Sequence, residues 1–261
     1  MPSKRVRPRM PEKLLPGVLE NTVQVAKRNR PVTWLAGITI VLIASLILLP
    51  ADIRTIFWHS LQSQAILVSM LLVFSLVAIS LVWSTGQKLD AWVFLAFNVR
   101  GSRPLWLDRI MLIFTQLGNG LTSLVIAGIL FLTSERFLAY ELILGTLTLW
   151  LVVELVKFVI HRPRPFLRLT QARIVGYRPI GRSFPSGHTS EAFFMATLMA
   201  QHFHSSVWVV FLLYAAAFLV GITRLYIGAH YPRDVLAGAI LGNAWGLLGV
   251  IIDGYVLNRI G

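Results

Sequence analysis

Read for hydrophobic and polar positions alone, the chain is a succession of apolar runs separated by short charged stretches. Runs at 32–49 and 65–83 carry no charged residue, and each has the length that crosses a bilayer core as a helix. Pro50-Ala51-Asp52 marks the turn between them. From 88 to 119, apolar residues alternate with Asp90, Arg100, Arg103, Asp108 and Arg109, which predicts a helix lying in the membrane interface. The run at 121–132 is short for a span and is expected to borrow residues upstream of Gly118. A fourth run, 137–160, carries Glu154 and Lys157 at a spacing that lets them pair. After a basic loop at 161–185, further spans are expected at 189–203, 207–222 and 235–257. The pattern predicts an all-α, multi-pass transmembrane helical bundle of about seven spans.

Composition supports the same class. Hydrophobic residues make up 56% of the chain and charged residues 13%, with a mean hydropathy of +0.71, which leaves little for a soluble core. The net charge of +13 would suit a nucleic-acid partner, but the basic residues sit in loops between apolar runs and no nucleic-acid-binding signature accompanies them. The expected partner is the bilayer, not nucleic acid. With no cysteine, disulfides, thiolate catalysis and cysteine-ligated zinc are excluded. Residues 1–31 read as a basic arm with at most a short interfacial helix at 19–26. No signal peptide is expected, because the polar arm precedes the first apolar run and no small-residue cleavage site follows it. The chain thus divides into the arm at 1–31, membrane segments at 32–87, a core at 88–257 and a tail at 258–261. No repeat of solenoid period is present, and the oligomeric state has no sequence signature.

Three polar clusters stand at the ends of apolar runs. Lys157 precedes Arg164-Pro165 by seven residues, about two helical turns, which would bring both to one face if the helix ran that far. Pro185-Ser186-Gly187-His188 opens a second run, and Arg224, His230 and Asp234 surround the start of a third. The span count puts all three on one membrane face, together with the amino terminus. Of 24 Lys and Arg, only Arg54, Arg136 and Arg259 fall on the other side, so the positive-inside bias makes the clustered face cytoplasmic.

Convergence of these groups would suit a phosphate ester. Lys157, Arg164 and Arg224 would neutralise its charge, the guanidinium groups by paired hydrogen bonds. Backbone N–H groups of Ser186, Gly187 and His188 at a helix start would form an anion nest, with the Ser186 hydroxyl contributing. His230 would attack phosphorus through one ring nitrogen while the other donates to Asp234, four residues on. His188 would protonate the leaving oxygen and then deprotonate the hydrolytic water. Taken singly each residue has a plainer explanation. His59, His161, His202 and His204 read as hydrogen-bonded structural residues, and Asp234 alone could be a helix cap. Arg162, Arg168, Arg173, Arg178 and Arg182 read as topology and headgroup contacts. The conjunction favours the phosphate site.

Together these residues resemble the signature of the type 2 phosphatidic acid phosphatase superfamily, a resemblance that spans roughly residues 88–257. Its first motif, a lysine, six residues and Arg-Pro, is matched by Lys157 and Arg164-Pro165. Pro185-Ser186-Gly187-His188 matches the second letter for letter. The third is matched by Arg224, His230 and Asp234, with Thr223 where the family usually has serine. The resemblance implies a six-helix phosphatase core, to which the chain adds an extra N-terminal span. It further implies a metal-independent hydrolysis without a cofactor. His230 would be the nucleophile, His188 the acid and Asp234 the orienter; Lys157, Arg164, Ser186, Gly187 and Arg224 would bind the phosphate of a lipid. In many bacterial relatives the site faces away from the cytoplasm, opposite to the charge bias here. A lipid phosphotransferase using the same site is the nearest alternative, a haloperoxidase a more distant one, and a non-catalytic lipid-binding scaffold belongs to a different class.

Overall fold

A computed structural model describes Ala44 and residues 62–260 apart from 100, 102 and 134, with side chains through 252. The expected span at 32–49, of which Ala44 alone is described, and the arm with its helix at 19–26 lie outside the described residues. Helices α1 (Ala65–Ser80), α2 (Ser84–Asn98), α3 (Leu105–Thr115) and α4 (Gly120–Leu132) are followed by α5 (Arg136–Ile160). Then come α6 (Gly187–His202), α7 (Val207–Tyr226) and α8 (Pro232–Ile260), with no strand among the described residues.

α1 is apolar all round and buries no side chain, as a helix facing hydrocarbon does. The chain then turns through 95° into α2. The expected interfacial helix is only partly realised. α2 buries Asp90, Phe94 and Asn98 on one stripe of i, i+4, i+8 spacing, so Asp90 faces protein while Lys88 stays exposed. The stretch ends there and restarts as α3. A 3₁₀ turn at Gln116–Gly118 and a 60° bend at Asn119, whose side chain accepts from the Leu121 N–H, join α3 to α4 as one broken span. That is the borrowing upstream of Gly118 that the short run requires.

Among the described residues α5, α7 and α8 are each long and apolar enough to cross a membrane, and the count is up to five if each bent pair is one span. α6, at 16 residues, is shorter and lies inside the bundle with nine of them buried. It packs along α8 through Gly242, where a Cβ would fall 2.1 Å from the Ser190 carbonyl oxygen. No side chain fits there, so the helix axes approach closely. His202, ending α6, stands 3.5 Å from Glu135, which precedes α5. Ser80, ending α1, accepts from Arg233 near the start of α8. The ends of α1, α5 and α7 and the starts of α6 and α8 therefore share one face of the bundle.

Candidate active site

The face just defined gathers all three clusters. Lys157 lies one turn before the end of α5, its Nζ 2.7 Å from Glu154 Oε1. A Cβ on Gly187 would stand 3.9 Å from that nitrogen, so the lysine and the first turn of α6 are neighbours. α5 does not carry on to Arg164. It stops at His161, whose φ of 51° is left-handed, and Pro163 prevents the residue before it from resuming the helix. Arg164 reaches the site in extended backbone instead. Its Nη1 donates to the Ala229 carbonyl at 3.0 Å, Nη2 to Ile180 at 3.0 Å and Nε to Gly181 at 3.2 Å. Three carbonyls hold the guanidinium with Nη1 3.3 Å from Nε2 of His230.

Arg224, in the last turn of α7, is buried and donates to Thr115 Oγ1 at 2.7 Å. Its buried Nε has no protein partner, which leaves a donor for an anion. Ser186 caps α6: its Oγ accepts from the Thr189 N–H at 3.4 Å and shares a hydrogen bond with Thr189 Oγ1 at 2.8 Å. The hydroxyl is thus engaged at the helix end, and the Ser186 N–H, expected in the anion nest, donates instead to the Asp234 carbonyl at 3.0 Å. The N–H groups of Gly187 and His188, in the first turn, are the anion donors that remain. Arg224, Lys157 and Arg164 all act electrostatically on His188, as does the His230 imidazole when it carries charge, so the two imidazoles and three cations form one cluster.

His230 precedes α8 in a loop held by the chain itself. Gly228, at φ +87°, makes the turn, where a Cβ would clash with the Arg173 carbonyl at 2.2 Å. The His230 ring is 3% exposed. Its Nδ1 donates to the Ser183 carbonyl at 2.7 Å, while the nearer Asp234 carboxylate oxygen is 3.7 Å away. The expected direct hydrogen bond to Asp234 is therefore replaced by a backbone one, which still leaves Nε2 as the lone-pair nitrogen. Burial lowers the imidazole from its ordinary 6.5 to about 3; the nearby Asp234 carboxylate opposes this and the charge of Arg164 adds to it. The ring is neutral, as a nucleophile must be.

Asp234 is fully buried and accepts from Arg162 at 2.5 Å, from the Tyr231 N–H at 2.8 Å and from the Ser183 hydroxyl. The sequence pattern does not single out Ser183, Asp90, Thr115 or Arg162 as site residues, and Arg162 binds two carboxylates in place of the expected lipid headgroups. A signal for Arg162 existed. In Arg162-Pro163-Arg164-Pro165 both prolines favour extended backbone, in which residues two apart face the same way. Arg173 also leaves its expected role, pairing with Asp108 at 2.8 Å. Arg182 donates to the Lys157 carbonyl at 3.0 Å, whereas Arg178 lies over the Phe166 ring at 4.8 Å.

The sequence model described as PAP2 superfamily matches residues 138–256, which contain the three clusters. The chain is 26% identical over 148 residues to a protein named undecaprenyl-diphosphatase from Sulfolobus acidocaldarius, covering 56% of this chain and 71% of that one. Among solved structures it is similar to a transmembrane PAP2-type phosphatidylglycerolphosphate phosphatase from Bacillus subtilis. There the TM-score is 0.64 at 27% identity, over 73% of this chain and 96% of the other. LpxE of Aquifex aeolicus superposes with a TM-score of 0.54 at 31% identity, over 60% of this chain and 92% of that one.

Proposed function

Because the chain belongs to the PAP2 superfamily, we propose that it is a multi-pass membrane phosphatase removing the terminal phosphate of a lipid through a phosphohistidine at His230. The observation that carries the reading is His230 Nε2: a lone-pair nitrogen 3.3 Å from a clamped guanidinium, in a buried ring that stays neutral. Arg164, Arg224, Lys157 and the first N–H groups of α6 hold the phosphate oxygens and take up charge as the bond to the leaving oxygen lengthens. Nε2 attacks phosphorus in line, the ester oxygen departs with a proton from His188, and phosphate rests on the ring. A bound phosphate brings the negative charge that an imidazolium at His188 needs beside it. Water then attacks phosphorus, its proton passes to His188, the N–P bond breaks and inorganic phosphate leaves. Gly187 leaves room for the phosphate to approach the backbone.

The substrate class is an isoprenyl diphosphate, a phosphatidylglycerophosphate or a phosphatidic acid, since a site at the polar end of lipid-facing helices admits an ester whose tail stays in the bilayer. The charge asymmetry of the loops supports the cytoplasmic face for the site. Because the chain lacks cysteine, Tyr177→Cys in the exposed loop, 75% accessible, offers a single labelling position. It is expected to react with an impermeant maleimide in inverted vesicles and not in intact cells; the reverse result would put the site outside. The activity is tested by phosphate release from a panel of these lipids, with His230→Ala and His188→Ala alongside. Turnover that survives both changes would contradict the mechanism, and lipid binding without turnover by the native protein would favour a scaffold.

A further inference from the structure

We propose that Arg162, anchored by Asp90 of α2, is a positioning residue for this hydrolysis: it holds Asp234 and, through Ser183, the ring of His230. The proposal rests on the phosphatase reading given above.

Arg162 is not placed to bind phosphate. It is 6% exposed, and both terminal nitrogens are already used. Nη1 donates to Asp234 Oδ1 at 2.5 Å, whereas Nη2 donates to Asp90 Oδ2 and lies 3.3 Å from Gln87 Oε1. Its planar face covers the Tyr231 ring at 4.2 Å. Only its buried Nε is without a protein partner; both terminal nitrogens and one face are committed to protein groups.

The main chain closes a ring around the nucleophile. The Arg162 carbonyl accepts from the Ser183 N–H at 2.8 Å, and the Ser183 carbonyl accepts from His230 Nδ1 at 2.7 Å. The Ser183 hydroxyl donates to Asp234, whose other oxygen accepts from the Arg162 side chain. Arg162 therefore fixes Ser183 by its backbone and Asp234 by its guanidinium. Both contacts converge on the orientation of one imidazole. Displacing that ring by a fraction of an ångström misaligns an in-line attack without altering the cations that bind phosphate.

Asp90 completes the set. It accepts from Arg162, from Arg233 Nε at 2.7 Å and from the Arg233 N–H at 3.2 Å. Two carboxylates and two guanidinium groups thus balance in charge, with Asp90, Asp234 and Arg162 buried and Arg233 half-buried at their edge. Taking one away leaves an uncompensated partner, so the set behaves as a unit. Asp90 stands on α2, upstream of residues 138–256 that match the family. The reacting centre is accordingly braced by a helix outside that matched region.

The test uses full-length protein in detergent and steady-state phosphate release from phosphatidic acid or whichever lipid of the panel the native protein hydrolyses. Asp90→Asn and Arg162→Lys are each expected to lower kcat about tenfold or more while KM stays within about threefold, because alignment and not binding is lost. Arg162→Met should lose more than Arg162→Lys. In an Asp234→Asn background, Arg162→Lys should cost no more than about a further twofold, since it acts through the residue already changed. Unaltered kcat in both Asp90→Asn and Arg162→Lys would overturn the proposal, as would a raised KM with kcat intact or a fully additive loss in the double variant. Failure of Asp90→Asn and Arg162→Lys to yield folded, monodisperse protein would assign the set to stability alone and overturn it too. If the native protein hydrolyses none of the lipids, the phosphatase reading fails first and this proposal with it, an outcome distinct from active but insensitive variants.

Discussion

The Nδ1 of His230 is hydrogen-bonded to the carbonyl oxygen of Ser183 at 2.7 Å, a full ångström closer than the 3.7 Å to Asp234. A backbone carbonyl can only accept, so it enforces the tautomer with Nε2 unprotonated whatever happens to the carboxylate. In Asp234→Asn the tautomer is expected to persist, and what is lost is the negative charge that steadies the positive ring in the phosphoenzyme. Turnover should fall by about a hundredfold yet stay at least about tenfold above that of His230→Ala. Steady-state phosphate release from the two variants checks this, and equal rates would mean that Asp234 sets the tautomer after all.

Burial, opposed by Asp234 and reinforced by Arg164 and Arg224, lowers His230 to about 3. Unfolded, the same imidazole takes up a proton below about pH 6.5. The unfolded state therefore binds more protons than the folded one between those values. Its contribution to stability is complete above about pH 6.5 and is lost as pH falls toward about 3. Thermal unfolding of the native protein should drop more steeply from pH 7 to pH 4 than that of His230→Asn, which has no such proton. Parallel curves would show that the ring is not held neutral.

Arg164 is placed by three carbonyl acceptors that match the fork of a guanidinium. Arg164→Lys keeps the charge but can satisfy only part of that clamp. A fall of about a hundredfold in kcat/KM is expected, comparable to losing one preorganised donor. Wild-type kcat/KM in this variant would move the phosphate away from Arg164.

The contact of α6 with α8 sets the distance between the Gly187-His188 turn and Asp234, because the Ser186 N–H donates to the Asp234 carbonyl at 3.0 Å. Gly242→Ala would drive a methyl group to 2.1 Å from the Ser190 carbonyl oxygen. Separating the helices should cost about 1–3 kcal/mol of stability and reduce activity with it. Thermal unfolding in detergent measures the first effect; an unchanged midpoint would show that the helices can slide apart freely.

Much of this was legible in sequence because membrane helices announce themselves by length and apolar composition, and α5, α7 and α8 follow the runs that predict them. The positions of the clusters followed from the ends of those runs. The break at Asn119 was half legible, as a run too short to span. What remained hidden depends on contacts between distant segments. Asp90 looked interfacial because alternating charge in a stretch of sequence does not tell a headgroup from a buried guanidinium. Ser183 acts through its carbonyl, which every residue possesses, so no side-chain pattern could single it out. Arg162 was grouped with the loop arginines by composition, although the prolines that flank Arg164 carried the clue to its direction.

The central claim is that phosphate passes through His230, and trapping the phosphoenzyme tests it most directly. Native protein mixed with a lipid bearing labelled terminal phosphate and quenched in alkali should hold label in a base-stable, acid-labile bond that maps to His230. The same label should be missing from His230→Ala and accumulate in His188→Ala given an aryl phosphate, whose leaving group needs no acid. Label on another residue, or undiminished labelling in His230→Ala, would contradict the account.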